Sequence, residues 1–307
     1  MYKVFIDGSS GTTGLRIAER LSANPSMEMI RLSERDRKVP EARKEAMNQA
    51  DVVFLCLPDD AAREAVGFLE NPHTVLIDTS TAHRTSPDFT YGFPEIGDLR
   101  EKIRAAKLIA NPGCHASGFI ALVAPLIEKG LVAPETTLTC FSLTGYSGGG
   151  KKMIMQYEEK DRSPLLKAPR QYGLSQTHKH LPEMTKVCGL TIAPVFCPVV
   201  ADYYAGMEVT VPLFSSQVKG GIADIKAAYG SYYREGLVRF VGEEGEAYLS
   251  GNAYAGRDDM GISVYGNEDR ILLVARFDNL GKGASGAAIQ NMNLSLGLAE
   301  DAGLIKG

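Results

Sequence analysis

Apolar and polar positions set a clear rhythm over the first third of the chain. Residues 3–7 form a short apolar run, then Gly8-Ser-Ser-Gly-Thr-Thr-Gly14, and then Leu15-Arg-Ile-Ala-Glu-Arg-Leu21, whose apolar residues recur at helical spacing. Further strands are predicted at 27–33, 51–57, 74–78 and 107–110. The near-continuous apolar character of 51–57 suits a parallel strand covered on both faces. Strands alternating with helices in this way predict an α/β doubly wound parallel sheet. The pattern changes after about residue 116. A long apolar helix runs to about 127, and the segments 136–143, 190–200, 206–213 and 271–277 are β-rich, which predicts an α+β domain. A last helical pattern, 287–298, follows Gly281-Lys-Gly-Ala-Ser-Gly286.

With 307 residues the chain suits about two domains. Its longest apolar runs, 51–57 and 119–124, fall far short of the roughly 18 residues that span a bilayer, so no membrane helix is expected. The N-terminus enters a strand directly, without the pattern of a secretory signal, which points to the cytoplasm. Thirty-three basic against 37 acidic side chains give a net charge of −4, which excludes a polybasic nucleic-acid or membrane binder as the default. Five cysteines, at 56, 114, 140, 188 and 197, form no CxxC pair and argue against a disulfide framework or a zinc ribbon.

Strand, glycine loop and helix come in the order a dinucleotide site needs. Gly8 allows the tight turn, Gly11 lets backbone approach a pyrophosphate, and Gly14 permits close helix packing. Ser10, Thr12 and Thr13 complete the loop, with amides at the helix N-terminus facing the anion. The second strand ends in Ser33-Glu-Arg35-Asp. Ser33 and Arg35 suit a 2′-phosphate and favour NADP(H) over NAD, the alternative being a solvated charge run. Leu57 and Pro58, at the end of the third strand, and Ser80, after the fourth, are expected beside the cofactor.

Cys114 follows a predicted strand and opens a helix, where dipole and unpaired amides favour the nucleophilic thiolate. The other four cysteines read as apolar filler. A base is offered by His178 and His180, whose alternate spacing puts both rings on one side of an extended segment. A metal site at these histidines is not expected, because no third ligand has suitable spacing. Gly148-Gly-Gly150 before Lys151 suggests a loop entering a helix, where an anion could bind.

Gly8-x-x-Gly11-x-x-Gly14, Tyr91-Gly-Phe-Pro-Glu95, Asn111-Pro-Gly-Cys114, Gly145-Tyr-Ser-Gly-Gly-Gly-Lys151, His178-Lys-His-Leu-Pro-Glu183 and Asn279-Leu-Gly-Lys-Gly-Ala-Ser-Gly286 occur in order along the chain. Together they resemble the N-acetyl-gamma-glutamyl-phosphate reductase family, in its shorter form. The resemblance implies a Rossmann-like NADP-binding domain at 1–115 and 281–307, made discontinuous by the last helix. It implies an α+β catalytic and oligomerisation domain of the semialdehyde dehydrogenase type at 116–280, in a homodimer or homotetramer. The activity it implies is NADPH-dependent reduction of the acyl phosphate N-acetylglutamyl 5-phosphate to the semialdehyde, with release of phosphate. Cys114 would form a thioester, and His178 or His180 would move the proton. Arg84, Asn111 and Lys151 are candidates for the substrate's phosphate or carboxylate, Glu183 for orienting a histidine, and Asn279 for touching the nicotinamide. His115 follows the cysteine where the family commonly has tyrosine or another residue, and the His178/His180 pair is preferred to it as base.

Two rivals share the chemistry. Aspartyl phosphate is disfavoured by Asn-Pro-Gly-Cys, because related aspartate semialdehyde dehydrogenases usually place Asn directly before Cys. A carrier-linked aminoadipyl phosphate should need a basic docking surface, which the net charge does not support. A catalytically silent NADP-sensing regulator would have lost the nucleophile or the base, and both are present.

Overall fold

The structure is a computed structural model, and it describes residues 1–9, 11–242 and 247–307. The chain divides into two compact units: Met1–Pro94, Asp98–Pro112 and Ala284–Leu304 form the first, while Glu95–Gly97, Gly113–Gly283 and Ile305–Gly307 form the second.

The first unit is built from β1 (Tyr2–Asp7), α1 (Thr12–Ser22), β2 (Met27–Ile30), α2 (Pro40–Gln49), β3 (Val52–Leu55), α3 (Asp59–Val66), β4 (Val75–Asp78), β5 (Thr90–Tyr91), α4 (Leu99–Ala105) and β6 (Leu108–Ala110), with α9 (Gly286–Ser295) supplied by the late segment. Its six strands are all parallel, in the order β2-β1-β3-β4-β6-β5. Side chains alternate across this sheet. Val4, Ile6, Phe54 and Ile77 pack with Ile17 and Leu21 of α1 and Ile289 and Met292 of α9, whereas Phe5, Val53, Leu55 and Leu76 pack with Met47 of α2 and Ala62 and Ala65 of α3. Both faces are therefore covered, as a doubly wound sheet requires. The second strand stops at Ile30 rather than at Ser33. Ser33 instead caps a tight turn: its Oγ accepts from the Asp36 amide (3.2 Å) and donates to the Asp36 carboxylate (2.7 Å).

The second unit carries α5 (Cys114–Glu128), β7 (Thr139–Gly145), α6 (Gly150–Glu158), β8 (Arg170–Gln171), α7 (Leu181–Cys188), β9 (Val195–Ala201), β10 (Met207–Phe214), α8 (Ile222–Tyr232), β11 (Val238–Gly242), β12 (Met260–Gly266) and β13 (Arg270–Phe277). The seven strands form one mixed sheet, β11-β12-β13-β10-β7-β9-β8. Helix α5 is buried along its whole middle, from His115 to Leu126. It lies so close to the sheet that a Cβ on Gly118 would come within 2.5 Å of the Val209 side chain on β10. Pro125 lacks the amide that would bond the Ala121 carbonyl, and the Tyr233 hydroxyl donates to that carbonyl instead (2.5 Å). The helix thus continues to Glu128 and fixes where its first residue, Cys114, stands.

Candidate active site

In the first unit, the glycine loop connects β1 to α1. Gly8 has φ +87°, and a Cβ there would sit 2.3 Å from the Cys56 carbonyl oxygen. A Cβ on Gly14 would sit 2.6 Å from the Gly8 carbonyl oxygen. Both positions are glycine because the fold demands it. Gly11 is different: φ is −74°, and the nearest protein atom to a built Cβ lies 3.5 Å away. It is the N-cap of α1 and has no side chain to cap the first turn. Neither packing nor backbone strain demands glycine there, which fits a residue kept bare so that a phosphate can reach the helix amides. Thr12 and Thr13 begin that helix, and Ser10 lies outside the described residues.

Ser33 is engaged in its turn with Asp36, and Arg35 is exposed beside it. Leu57 and the exposed Pro58 follow β3, and Ser80 follows β4. Ser80 is held by the fully buried Asp78, whose carboxylate accepts the Ser80 amide (2.9 Å) and hydroxyl (2.7 Å) and faces His83 Nδ1 (2.7 Å). Arg84 spans two loops, donating to the carbonyls of Thr79 (3.1 Å) and Asn111 (3.0 Å). Asn111 in turn donates to the Ala284 carbonyl and accepts from Asn291, both at 3.1 Å. These two substrate candidates are therefore also braces of the strand ends.

In the second unit, Cys114 is the first residue of α5, behind the N-cap Gly113, and is partly exposed. Its chain neighbours on both sides are tied to one polar cluster. The Gly113 amide donates to Glu183 Oε2 (3.2 Å), and Glu183 Oε1 lies 3.9 Å from His180 Nε2. On the other side, His115 Nδ1 meets Ser142 Oγ on β7 (2.7 Å) and its Nε2 meets the Tyr172 hydroxyl (2.6 Å). The ring of His115 lies 5.9 Å from that of His178 and 5.6 Å from that of His180, and those two are 4.8 Å apart. Phe196 closes one side, 5.3 Å from His115 and 5.0 Å from His178.

The histidine pair does meet, but not on an extended segment. His180 has φ −84° and ψ −14° and is the N-cap of α7, and its amide donates to His178 Nδ1 (3.2 Å). A turn, rather than strand alternation, brings the rings together. The loop carrying His178 is pinned to β9 by Gln176, which accepts the Phe196 amide (2.9 Å) and donates to its carbonyl (2.7 Å).

Electrostatics separates the roles. Burial, with the neighbouring His178 a smaller cause, lowers the His115 pKa from 6.5 to about 3, so this imidazole stays neutral at physiological pH. Burial, with Cys114 nearby as a second cause, raises the Tyr172 hydroxyl above its ordinary value and keeps it protonated. Cys114 itself meets the partial positive charge of the α5 N-terminus. By contrast, burial raises the thiols of Cys140 and Cys188, and pushes Cys56 up to about 12.

The remaining candidates lie elsewhere in this unit. Asn279 is buried, its Oδ1 accepting the Gly206 amide (2.8 Å) and its Nδ2 donating to Ser147 Oγ (2.9 Å), so it fixes the loop that leads into α6. Lys151 is exposed in the first turn of α6. His115 shares a helix with the cysteine and is not the base the sequence favours, and no local sequence signal marks Tyr172 or Ser142. Lys282, whose segment its flanking glycines mark, is buried against Glu95 at 2.8 Å, which the sequence does not show.

Residues 3–106 match the family model described as semialdehyde dehydrogenase, NAD binding domain, and residues 114–279 match semialdehyde dehydrogenase, dimerisation domain. Curated proteins named N-acetyl-gamma-glutamyl-phosphate reductase from Brucella ovis and Brucella canis are each 44% identical over 306 residues, spanning 96% of this chain and 99% of theirs. Among solved structures, aspartate semialdehyde dehydrogenase II of Vibrio cholerae superposes with a TM-score of 0.74 at 15% identity, covering 96% of this chain and 98% of that one. The Candida albicans aspartate semialdehyde dehydrogenase with NADP gives 0.67, also at 15%, over 96% and 99%. At these identities the structural likeness speaks for the fold.

Proposed function

Because the chain belongs to the semialdehyde dehydrogenase family, and within it to the N-acetyl-gamma-glutamyl-phosphate reductases, it is an NAD(P)-dependent oxidoreductase, and we propose that it converts N-acetyl-L-glutamyl 5-phosphate to the 5-semialdehyde with NADPH. The observation that carries this reading is Cys114 at the start of α5, with Gly113 and His115 on either side tied into the histidine cluster. The Cys114 thiolate attacks the acyl carbonyl, the C–O bond to phosphate breaks, and a Cys114 thioester remains. NADPH, when bound, supplies the hydride that reduces this thioester. The resulting hemithioacetal oxyanion is stabilised by a hydrogen-bond donor. His178 is suited to be that donor, since its Nδ1 accepts the His180 amide and the neutral ring therefore carries its proton on Nε2. Collapse then releases the aldehyde and returns the thiolate. Per turnover, acyl phosphate, NADPH and a proton give aldehyde, NADP and inorganic phosphate.

Glu183 acts on position rather than on substrate, since one oxygen holds the Gly113 amide and the other faces His180. Lys151, with the α6 N-terminus, and Arg84 are assigned to the anionic groups of the substrate. The loop Gly8–Gly14 holds the cofactor pyrophosphate, and Ser33 and Arg35 take its 2′-phosphate. The face of the mixed sheet that shows Phe141, Val195, Phe214 and Leu272 is assigned to a second copy of this chain. All four are at least 42% exposed, and large apolar side chains sharing one sheet face suit an interaction surface.

The test is phosphate-dependent reduction of NADP by N-acetylglutamate semialdehyde, with aspartate semialdehyde as comparison. Turnover that depends on phosphate, prefers the acetylated substrate and disappears in Cys114→Ser is expected. Absence of turnover in the natural protein, or full activity in the Ser variant, overturns the reading.

A further inference from the structure

Lys282 and Glu95 are each 1% exposed at the side chain and are held in contact through both carboxylate oxygens, at 2.9 and 2.8 Å from Nζ. Glu95 is itself anchored, because Oε1 also accepts the amide of Leu237 (2.8 Å), the residue before β11. Desolvating two charges costs more than such a pair usually returns in stability, and apolar residues of similar volume commonly replace one without loss. A buried pair therefore calls for a reason other than stability.

The surroundings of Lys282 supply one. It belongs to a single π-helical turn, Gly281–Ser285, a rare geometry that tends to mark functional sites. Asp278 starts the turn: its carboxylate accepts the amides of Leu280 (2.7 Å) and Gly281 (3.2 Å), and its carbonyl accepts the Gly283 amide five residues on (2.9 Å). A side chain has no room at Gly281 and would press on its neighbours at Gly283. A Cβ on Gly281 would lie 2.0 Å from the Arg257 carbonyl oxygen, and one on Gly283 would lie 3.0 Å from the Cβ of Cys114. The turn thus packs its backbone directly on the nucleophile, and the side chain between its two glycines is the one clamped to Glu95.

From this juxtaposition the geometry points to Lys282 and Glu95 as a positioning pair, which sets the register of the π-turn so that Gly283 holds Cys114 in its reactive orientation. The inference rests on the reading of Cys114 as nucleophile. Neither residue needs to touch substrate. A displacement of about 1 Å at a reacting group costs on the order of 100-fold in rate, so a small relaxation of this turn is enough to matter.

The experiment compares the natural protein with Glu95→Leu/Lys282→Met, which removes both charges, and with Lys282→Arg, which keeps the ion pair but displaces the turn. Two readouts are used: iodoacetamide alkylation of Cys114, mapped by mass spectrometry across pH 6–9, and kcat and KM for the reductase reaction. The expected result is a cooperatively folded double variant whose Cys114 alkylation and kcat both fall on the order of 10- to 100-fold, with KM within about threefold of the natural value. Lys282→Arg should fall in the same direction by less. If the double variant does not fold, Lys282→Arg carries the test alone. A folded variant with natural alkylation and kcat overturns the inference. A natural protein whose Cys114 resists alkylation and which shows no turnover overturns the reading of the nucleophile instead.

Discussion

Three glycines of one loop should respond to alanine in opposite ways, and the structure gives the magnitudes. At Gly8, alanine would have to adopt φ +87°, which costs about 1–2 kcal/mol, and its Cβ would lie 2.3 Å from a backbone carbonyl that cannot move alone. Together these put the loss at about 3 kcal/mol or more, a fall of roughly 6–12 °C in the melting temperature. Gly14→Ala meets the Gly8 carbonyl at 2.6 Å and should behave similarly. At Gly11, φ −74° and ψ 165° suit alanine, and the nearest atom is 3.5 Å away. Alanine there loses a modest N-cap preference and gains by restricting the unfolded chain, so the net change should stay within about 1 kcal/mol. Its methyl group would nonetheless keep a phosphate from the α1 amides. Loss of one charge-assisted hydrogen bond, about 1.5–3 kcal/mol, raises the NADPH Kd roughly 10- to 100-fold. Circular dichroism melts and fluorescence titration with NADPH separate the two effects. If Gly11→Ala binds NADPH like the natural protein, or melts as early as Gly8→Ala, the loop is a packing device and the cofactor assignment falls.

Arg35→Ala, at an exposed position, should weaken NADPH about tenfold and leave NADH nearly unchanged, the difference shrinking as salt is raised; equal losses for both would remove Arg35 from the 2′-phosphate. Iodoacetamide at pH 7.5 should modify Cys114 well before Cys56, Cys140 or Cys188, whose thiols burial keeps protonated, and a mass map giving Cys140 or Cys188 first would contradict the burial described above. His115 is neutral in the folded protein down to about pH 3, but takes up a proton near 6.5 once unfolded. Its contribution to stability is therefore complete above about 6.5 and is lost as pH falls from there toward 3, at up to about 1.4 kcal/mol per pH unit. Urea unfolding between pH 7 and 4 should show a flatter acid limb for His115→Gln, and parallel curves would place the ring in a more polar site.

The doubly wound sheet was legible because its cause is local. Strands such as Val52–Leu55 are apolar throughout, being covered on both faces, and Gly8 and Gly14 advertise the tight turn between β1 and α1. Cys114 was legible for the same reason, since a strand, Asn-Pro-Gly and an apolar helix place it at a helix start by short-range rules. What escaped was long-range. Ser142 and Tyr172 reach His115 only because β7 and β9 pair in parallel and the loop before α7 folds back on Phe196. Alternation put His178 and His180 on one side of a strand, whereas the rings meet through a turn capped by His180. Glu95 and Lys282 are 187 residues apart, and nothing in the neighbourhood of either announces the other. Strand ends are also hard to read where side chains bond local backbone, as Ser33 does after β2.

The arrangement around Cys114 follows from a single constraint. A helix buried from His115 to Leu126 leaves its N-terminus as the natural place for a negative charge, because the first-turn amides have no partners inside the helix. A thiolate there would gain from the dipole, and so would the oxyanion of the proposed thioester reduction. The same amides would serve neither if a permanent anion occupied them. Glu183 binds the Gly113 amide, one residue before the helix, and so orients the turn from outside the first-turn position. On the other side His115 is neutral and Tyr172 protonated, so each can hydrogen-bond without adding a charge beside the proposed nucleophile. His178 and His180, the residues proposed to act on the oxyanion, are held by a turn and by β9 rather than by the helix. The groups that hold Cys114 in place are thus neutral or set back, and the groups suited to moving a proton stand on a separate segment, which permits either set to be varied while the other is measured.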